Sequence, residues 1–185
     1  DNIERAIKKA QGGDSDAFEQ IRYEGYGPGG VAIIVEALTD NRNRTAGEIR
    51  TIFYKHGGTL GETNSVSFLF NRRGSITYPV KAASADAMFE AALEAGADDV
   101  QAADDGHEIT TAPDDLNAVR ESLERKFGPA QGSGLVWKPL SAIDLDQEKA
   151  ETMLALIEML EDSDDVQNVS SNFSVSDDIL AKLTA

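Results

Sequence analysis

The segment from Tyr23 to Gly58 constrains the fold most, because a glycine-rich turn is followed directly by an apolar run of strand length. Three of its glycines match the spacing G-x-G-x-x-G, which indicates dinucleotide binding only where a strand precedes the motif and a helix follows it. Here residues 31–38 follow, and their β-branched side chains favour a strand. We therefore predict a hairpin that needs no cofactor. Its structural turn comprises Gly25, Gly27, Pro28, Gly29 and Gly30.

The sequence contains no recognisable catalytic or metal centre. It has no cysteine and two histidines, which excludes disulfides and cysteine-based metal sites. His107 is expected at the surface of a hairpin, and His56 is expected to complement a helix C-terminus. No nucleophile stands in a motif with a base, and the acidic pairs mostly occupy helix starts and turns. We expect no enzyme activity, no catalytic residue, no bound metal and no small-molecule substrate.

The net charge of −16 is distributed unevenly along the chain. Residues 1–83 carry 11 Lys and Arg against 10 Asp and Glu, whereas residues 84–185 carry 6 against 23. Because phosphate backbones favour clustered cations, any nucleic-acid contact is expected in the first half. The candidate contact residues there are Arg42, Asn43, Arg44, Arg50, Lys55, His56, Arg72 and Arg73.

The loop before the predicted helix 44–56 is the strongest candidate within this set. Arg42 and Arg44 alternate with asparagines just before a helix N-terminus, which combines bidentate phosphate donors with free N–H groups. Thr45 and Glu48 have the spacing of a capping box. The alternative is that Asn and Asp only cap the helix while the arginines pair with Glu36 or Glu48. A solvated basic face without a partner also remains open.

The patterns of the remaining segments predict an α+β fold with two α/β-sandwich domains and antiparallel sheets. Strands at 75–80, 98–103, 107–111 and 135–140 and helices at 85–95 and 114–127 have the order βαββαβ, which is ferredoxin-like. We predict that this domain, 75–142, is inserted into a first domain formed by 14–74 and 143–185. The first domain's later elements are a strand at 65–70, a helix at 147–160 and a strand at 166–175. Residues 1–13 are expected to be the last helix of a truncated N-terminal helical domain.

Five segments of the chain, in this order, resemble the YebC/PmpR family. They are Asp1-Asn2-Ile3-Glu4-Arg5-Ala6-Ile7, Tyr23-Glu24-Gly25-Tyr26-Gly27-Pro28-Gly29-Gly30, Thr39-Asp40-Asn41-Arg42-Asn43-Arg44-Thr45, Lys55-His56-Gly57-Gly58 and Ala91-Ala92-Leu93-Glu94-Ala95-Gly96-Ala97. The resemblance implies three domains, the first a basic helical bundle. It also implies a non-enzymatic gene-expression factor, because bacterial members are described as DNA-binding transcriptional regulators and other members act on ribosomes, with proline-rich stalling implicated.

The charge balance favours the ribosome over free DNA as the target. A free DNA binder gains much of its affinity from neutralising phosphates, which suits a chain of net charge −16 poorly. Structured RNA can be recognised by shape and a few arginines. We therefore expect a ribosome-associated translation factor that contacts rRNA or tRNA. A DNA-binding regulator and a protein-interaction adaptor are the alternatives. We also expect a monomer without membrane insertion in the bacterial cytoplasm, or alternatively in the mitochondrial matrix.

Overall fold

A computed structural model describes residues 17–185 of the protein. The helix predicted within residues 1–13 lies outside this part of the chain. The described residues divide into two compact units. The first unit contains residues 17–70 together with Pro139–Ala185, and the second unit is Asn71–Lys138.

Ten strands and five α-helices occur within residues 17–185. The strands are β1 (Glu19–Tyr26), β2 (Ala32–Thr39), β3 (Thr59–Leu60), β4 (Phe70–Tyr78), β5 (Asp99–Ala103), β6 (Gly106–Thr111), β7 (Gly132–Pro139), β8 (Ile143–Asp144), β9 (Val166–Ser171) and β10 (Phe173–Ser174). The helices are α1 (Arg42–Lys55), α2 (Ala85–Ala95), α3 (Leu116–Phe127), α4 (Gln147–Asp162) and α5 (Asp177–Leu183). None of these helices is both long and apolar enough to cross a membrane.

The first unit is a four-stranded sheet in the order β3-β1-β2-β9, with α1 and α4 packed on one face. Strands β1 and β2 pair antiparallel from Glu19↔Thr39 to Tyr26↔Ala32, which confirms the predicted hairpin. Alternate residues of a strand point to the same face. The core on the helix side accordingly combines Val31, Ile33 and Val35 with apolar side chains of α1 and α4.

The glycine-rich turn closes this hairpin through a short 3₁₀ turn at Pro28–Gly30. Gly29 and Gly30 have φ values of 74° and 79°, in the left-handed region that favours glycine. At Gly27, by contrast, tight packing excludes any larger side chain. A Cβ at this position would lie 2.8 Å from Ile33 Cδ1 and 2.9 Å from Met153 Sδ. These glycines therefore serve chain reversal and close packing.

The predicted strand at 65–70 is wrong. A 3₁₀ turn occupies Ser67–Leu69, and the strand begins only at Phe70. The backbone N–H groups of Asn64, Val66 and Ser67 donate to the buried carboxylate of Glu24 at 2.7, 3.1 and 2.7 Å. Because these groups bind a side chain, the segment adds no strand to the sheet.

The second unit has the strand order β5-β6-β4-β7, with α2 and α3 on one face. With the chain order βαββαβ this is the ferredoxin-like arrangement, and the predicted α+β fold class is confirmed. Register pairs such as Ile76↔Ile109 place apolar side chains on the helix side. They pack there with Met88, Val119 and Leu123 of the two helices.

Two further predictions about local structure are wrong. His107 is 5% exposed because its register with Tyr78 places it on the helix-facing side, where Nε2 donates to the Ala83 carbonyl at 3.0 Å. The strand predicted at 166–175 is divided into β9 and β10. Asn172 lies between them, and its side-chain oxygen accepts from Ala32 N at 2.8 Å, so the ladder of β2 ends there. Strand β10 instead pairs in parallel with β8.

Candidate nucleic-acid interface

Helix α1 begins at Arg42, two residues earlier than predicted, and Asn41 caps it by accepting from Arg44 N at 3.1 Å. The predicted capping box of Thr45 and Glu48 is therefore wrong. Thr45 is fully buried within the first turn, and its hydroxyl donates to Asp165 Oδ2 at 2.8 Å. This contact joins the start of α1 to the segment just before β9.

Arg44 is engaged by two carboxylates of the first unit. Its Nη2 lies 3.0 Å from Asp40 Oδ1 and 3.2 Å from Asp165 Oδ2. The hydrogen bonds to Asp165 and to Asp40 raise the pKa of Arg44 above its usual value. The cleft around this guanidinium, about 480 Å³ in volume, is lined by Phe18, Asp40, Arg44, Glu48, Asp164 and Asp165. Because the guanidinium of Arg44 already binds two carboxylates, it is a poor donor for a phosphate.

Arg42 lies on another flank of α1 and makes a weaker contact. Its Nη1 is 3.3 Å from Glu19 Oε2, and the two side chains are 66% and 49% exposed. Exposed ion pairs of this kind contribute about 0–1 kcal/mol because water and salt screen them. Arg42 can therefore leave Glu19 for an external anion with little loss of folding free energy.

The outermost stripe of α1 carries Asn43, Gly47, Arg50 and Tyr54, all of them exposed. These residues are three or four positions apart and thus share one face, opposite the buried Thr45, Ile49 and Ile52. Tyr54 is 82% exposed, although tyrosine normally buries most of its ring. We call these four residues the outer face of α1.

Tyr54 was missed by the sequence reasoning, which considered only basic and amide side chains. Its spacing could have revealed it. Tyr54 follows Arg50 by four positions and Gly47 by seven, on the side of the helix away from the predicted apolar stripe. A guanidinium and an aromatic ring one turn apart are typical of nucleic-acid contacts.

Arg50 and Lys55 make no ion pair with any residue in the described part of the chain. His56 is half-buried and ends the helix. Its Nδ1 lies 2.8 Å from the Ile52 carbonyl, which can only accept, so Nδ1 carries a proton. Arg50 and Lys55 are the cations of α1 that have no ion-pair partner among residues 17–185.

Arg72 and Arg73 belong to the second unit, on β4. The guanidinium carbon of Arg72 lies 4.8 Å from the centroid of the Trp137 ring, a cation–π contact. Arg73 forms an ion pair with Asp98. Both cations thus have partners within their own unit. No group of three or more His, Asp or Glu residues within residues 17–185 is arranged to hold a metal ion.

The two four-stranded sheets, one of them in a ferredoxin-like unit, define an α+β protein. A family model described as the second and third domain of TACO1/YebC matches residues 18–173, and the chain belongs to this family. The predicted resemblance is thereby confirmed. A solved structure of a conserved hypothetical protein from Aquifex aeolicus is 47% identical, with a TM-score of 0.87, over 96% of this chain and 74% of that one. The family is described as regulatory rather than enzymatic.

Proposed function

We propose that the protein is a non-enzymatic, ribosome-associated translation factor that contacts rRNA or tRNA through the outer face of α1. The observation that carries this proposal is the pair of Arg50 and Tyr54, exposed one helical turn apart. Arg50 supplies a planar donor for phosphate, and Tyr54 supplies a ring on which an unstacked base can lie. Asn43 adds an amide that can bind a sugar or a base edge.

Gly47 supports the same surface. A glycine inside a helix costs about 1 kcal/mol relative to alanine, yet a Cβ at Gly47 would meet no atom within 4 Å. Packing within residues 17–185 therefore gives no reason for this glycine. A bare backbone between Asn43 and Arg50 lets a partner's backbone approach the helix closely.

The small number of free cations favours structured RNA over duplex DNA. Among the described residues, α1 offers Arg50 and Lys55 without ion pairs and Arg42 with a weak one. DNA affinity rises with the number of phosphates neutralised, whereas structured RNA is also recognised by shape. The family resemblance adds relief of ribosome stalling at proline-rich stretches as the process to examine. We place the protein as a monomer in the bacterial cytoplasm, with the mitochondrial matrix as the alternative.

Co-sedimentation of the full chain with ribosomes tests the proposed site. We expect the double variant Arg50→Glu, Tyr54→Ala to lose most of its ribosome-bound fraction. Arg125→Glu is the matched control, because Arg125 is also an exposed helical arginine without an ion pair among the described residues. Equal co-sedimentation of the double variant and the wild type would contradict the assignment of α1.

A DNA-binding regulator is the second candidate, favoured by the family model's designation as a transcriptional regulator. It predicts retention of particular promoter fragments at physiological salt in excess of a polyanion competitor. A protein-interaction adaptor predicts instead that neither charge reversal on α1 nor salt changes partner binding. Ribosome profiling with and without the gene distinguishes a translation factor from a DNA-binding regulator and from an adaptor. Only a translation factor is expected to shift ribosome occupancy at specific codons.

A further inference from the structure

Neither helix of the second unit packs on one of the two faces of its sheet, here called the open face. Helices α2 and α3 pack against the side that carries Ile76, Tyr78 and Ile109. By the alternation of strand side chains, Thr77 and Glu108 project from the opposite face. A cleft of about 600 Å³ lies there, lined by Thr77, Tyr78, Gln101, Ala103, Asp105, Gly106, His107, Glu108 and Gln131.

Polar side chains form a row across this open face. Thr77 is opposite Glu108, and Glu108 is opposite Gln101 in the strand register. Gln131 continues the row, since its N–H donates to the Thr77 carbonyl at 2.8 Å. Glu108 is positioned by an ion pair with Lys138. The row therefore places the amides of Gln101 and Gln131 beside the carboxylate of Glu108.

Strand β5 is an edge of this sheet, and its backbone faces outward beside the cleft. Four of its five residues are exposed, and only Val100 is half-buried. Natural proteins commonly protect edge strands with lysine or proline. The other edge strand, β7, ends in Lys138 and Pro139, whereas β5 contains neither residue type. The edge of β5 is thus the one suited to pair with another strand.

The charge beside this edge specifies the partner. The second unit carries 12 Asp and Glu against 7 Lys and Arg. Asp99, Asp104 and Asp105 lie on β5 and on the turn that follows it, and none makes an ion pair with a described residue. Asp105 also lines the cleft; none of the described lining residues is Lys or Arg, and Lys138 at its margin is paired with Glu108. Such a surface repels nucleic acid and attracts cations.

We propose that the second unit binds an extended, Lys- and Arg-rich peptide segment of a protein partner by adding it as a strand to β5. Backbone hydrogen bonds to the edge give the segment its register. Every second side chain then projects over the open face, where a cationic head group reaches Asp105 and the polar row. This binding is separate from the RNA contact of α1, so either can fail without the other.

The probe is a fluorescent synthetic peptide of about ten residues in which lysine and valine alternate, titrated against the full chain. Neutralising the turn with Asp104→Asn and Asp105→Asn is expected to weaken binding roughly fivefold or more, and Asn suits a turn as well as Asp. The matched control is Glu90→Gln with Glu121→Gln, which removes two exposed charges from α2 and α3 of the same unit. This control is expected to retain wild-type affinity.

Two further measurements test strand addition itself. N-methylation of alternate peptide amides removes donors without changing charge, so we expect it to abolish binding. Bound peptide should also slow amide hydrogen exchange in residues 99–103. The proposal is overturned if the peptide does not bind, if both double variants weaken it equally, or if exchange at β5 stays unchanged.

Discussion

Two buried carboxylates, Glu24 and Asp165, determine local structure at the scale of single residues. Glu24 is fully buried and accepts three backbone N–H groups and the Arg22 guanidinium. Asp165 is 4% exposed and accepts from Thr45 and Arg44. A buried charge is tolerated only when it is hydrogen-bonded. Each carboxylate therefore fixes the segment that supplies its donors.

Replacing Thr45 with valine tests the contact to Asp165. Valine keeps the shape of threonine but removes the hydroxyl that donates to this carboxylate. We expect the free energy of unfolding to fall by about 1–3 kcal/mol, because a buried acceptor loses its donor. Urea denaturation monitored by circular dichroism measures the change. Thr51→Val is the control, since the Thr51 hydroxyl bonds only the Gly47 carbonyl at an exposed position.

Glu24 makes stability depend on pH in a defined direction. Burial by itself raises the pKa of Glu24, but the hydrogen bonds from Asn64, Val66, Ser67 and Arg22 outweigh it and lower the pKa below the usual 4.5. The unfolded chain thus binds a proton more readily than the folded one. The stabilising contribution is complete above about pH 4.5 and is lost as pH falls through the folded pKa.

The variant Glu24→Gln removes this titration. We expect the wild type to exceed the variant in unfolding free energy at pH 7, and the difference to shrink at pH 4 and further at pH 3. Urea unfolding at the three pH values measures it. A difference that stays constant across this range would show that Glu24 contributes no pH-dependent stability.

At the scale of elements, α1 separates structural cations from available ones. Arg44 faces Asp40 and Asp165 on one flank, and Arg50 projects from the outer face without an ion pair in the described chain. Both residues belong to one basic segment of the sequence. Their roles differ because a helix rotates by about 100° per residue and thus points neighbouring positions in different directions.

The variant Gly47→Ala is expected to be more stable than the wild type but to bind ribosomes less well. Because the site is open and helical, alanine is expected to raise the unfolding free energy by about 0.5–1 kcal/mol. The added methyl group should nevertheless lower the ribosome-bound fraction, because it blocks close approach to the helix. Thermal unfolding and co-sedimentation of the same preparation give the two values. Unchanged ribosome binding would remove Gly47 from the contact surface.

The elements whose signals are local were predictable from the sequence. Helix α2 spans Ala85–Ala95 as predicted, since Ser84 caps its first turn and Gly96, at a φ of 101°, ends it. The segment 65–70 was not predictable in this way. Its N–H groups bind Glu24, which lies some 40 positions earlier in the sequence. Hydrophobic alternation contains no information about such a distant acceptor.

At the scale of the whole molecule, a large net negative charge limits how many phosphates the chain can contact. The chain has a net charge of −16, yet Arg50 and Lys55 stand unpaired on one helix of the described structure. A contact of this kind uses few phosphates, so its dependence on salt is expected to be shallow.

The variant Arg50→Gln tests the expected salt dependence quantitatively. Removing one phosphate contact should reduce the slope of log affinity against log salt by about one. Ribosome binding of the wild type and the variant, measured across a series of potassium concentrations, supplies both slopes. Lys126→Gln, an exposed lysine of α3, is expected to leave the slope unchanged. Parallel slopes for wild type and Arg50→Gln would exclude a direct phosphate contact.

Local signals were enough to predict the hairpin, the order of the ferredoxin-like elements and the family, because periodicity, turn residues and motif order are properties of neighbouring positions. Folding selects the basic residues that remain available. It paired Arg44 with Asp165, 121 positions away, and left Arg50 beside the exposed Tyr54. The physical reason is that charge compensation and burial depend on residues that folding brings together from distant parts of the chain.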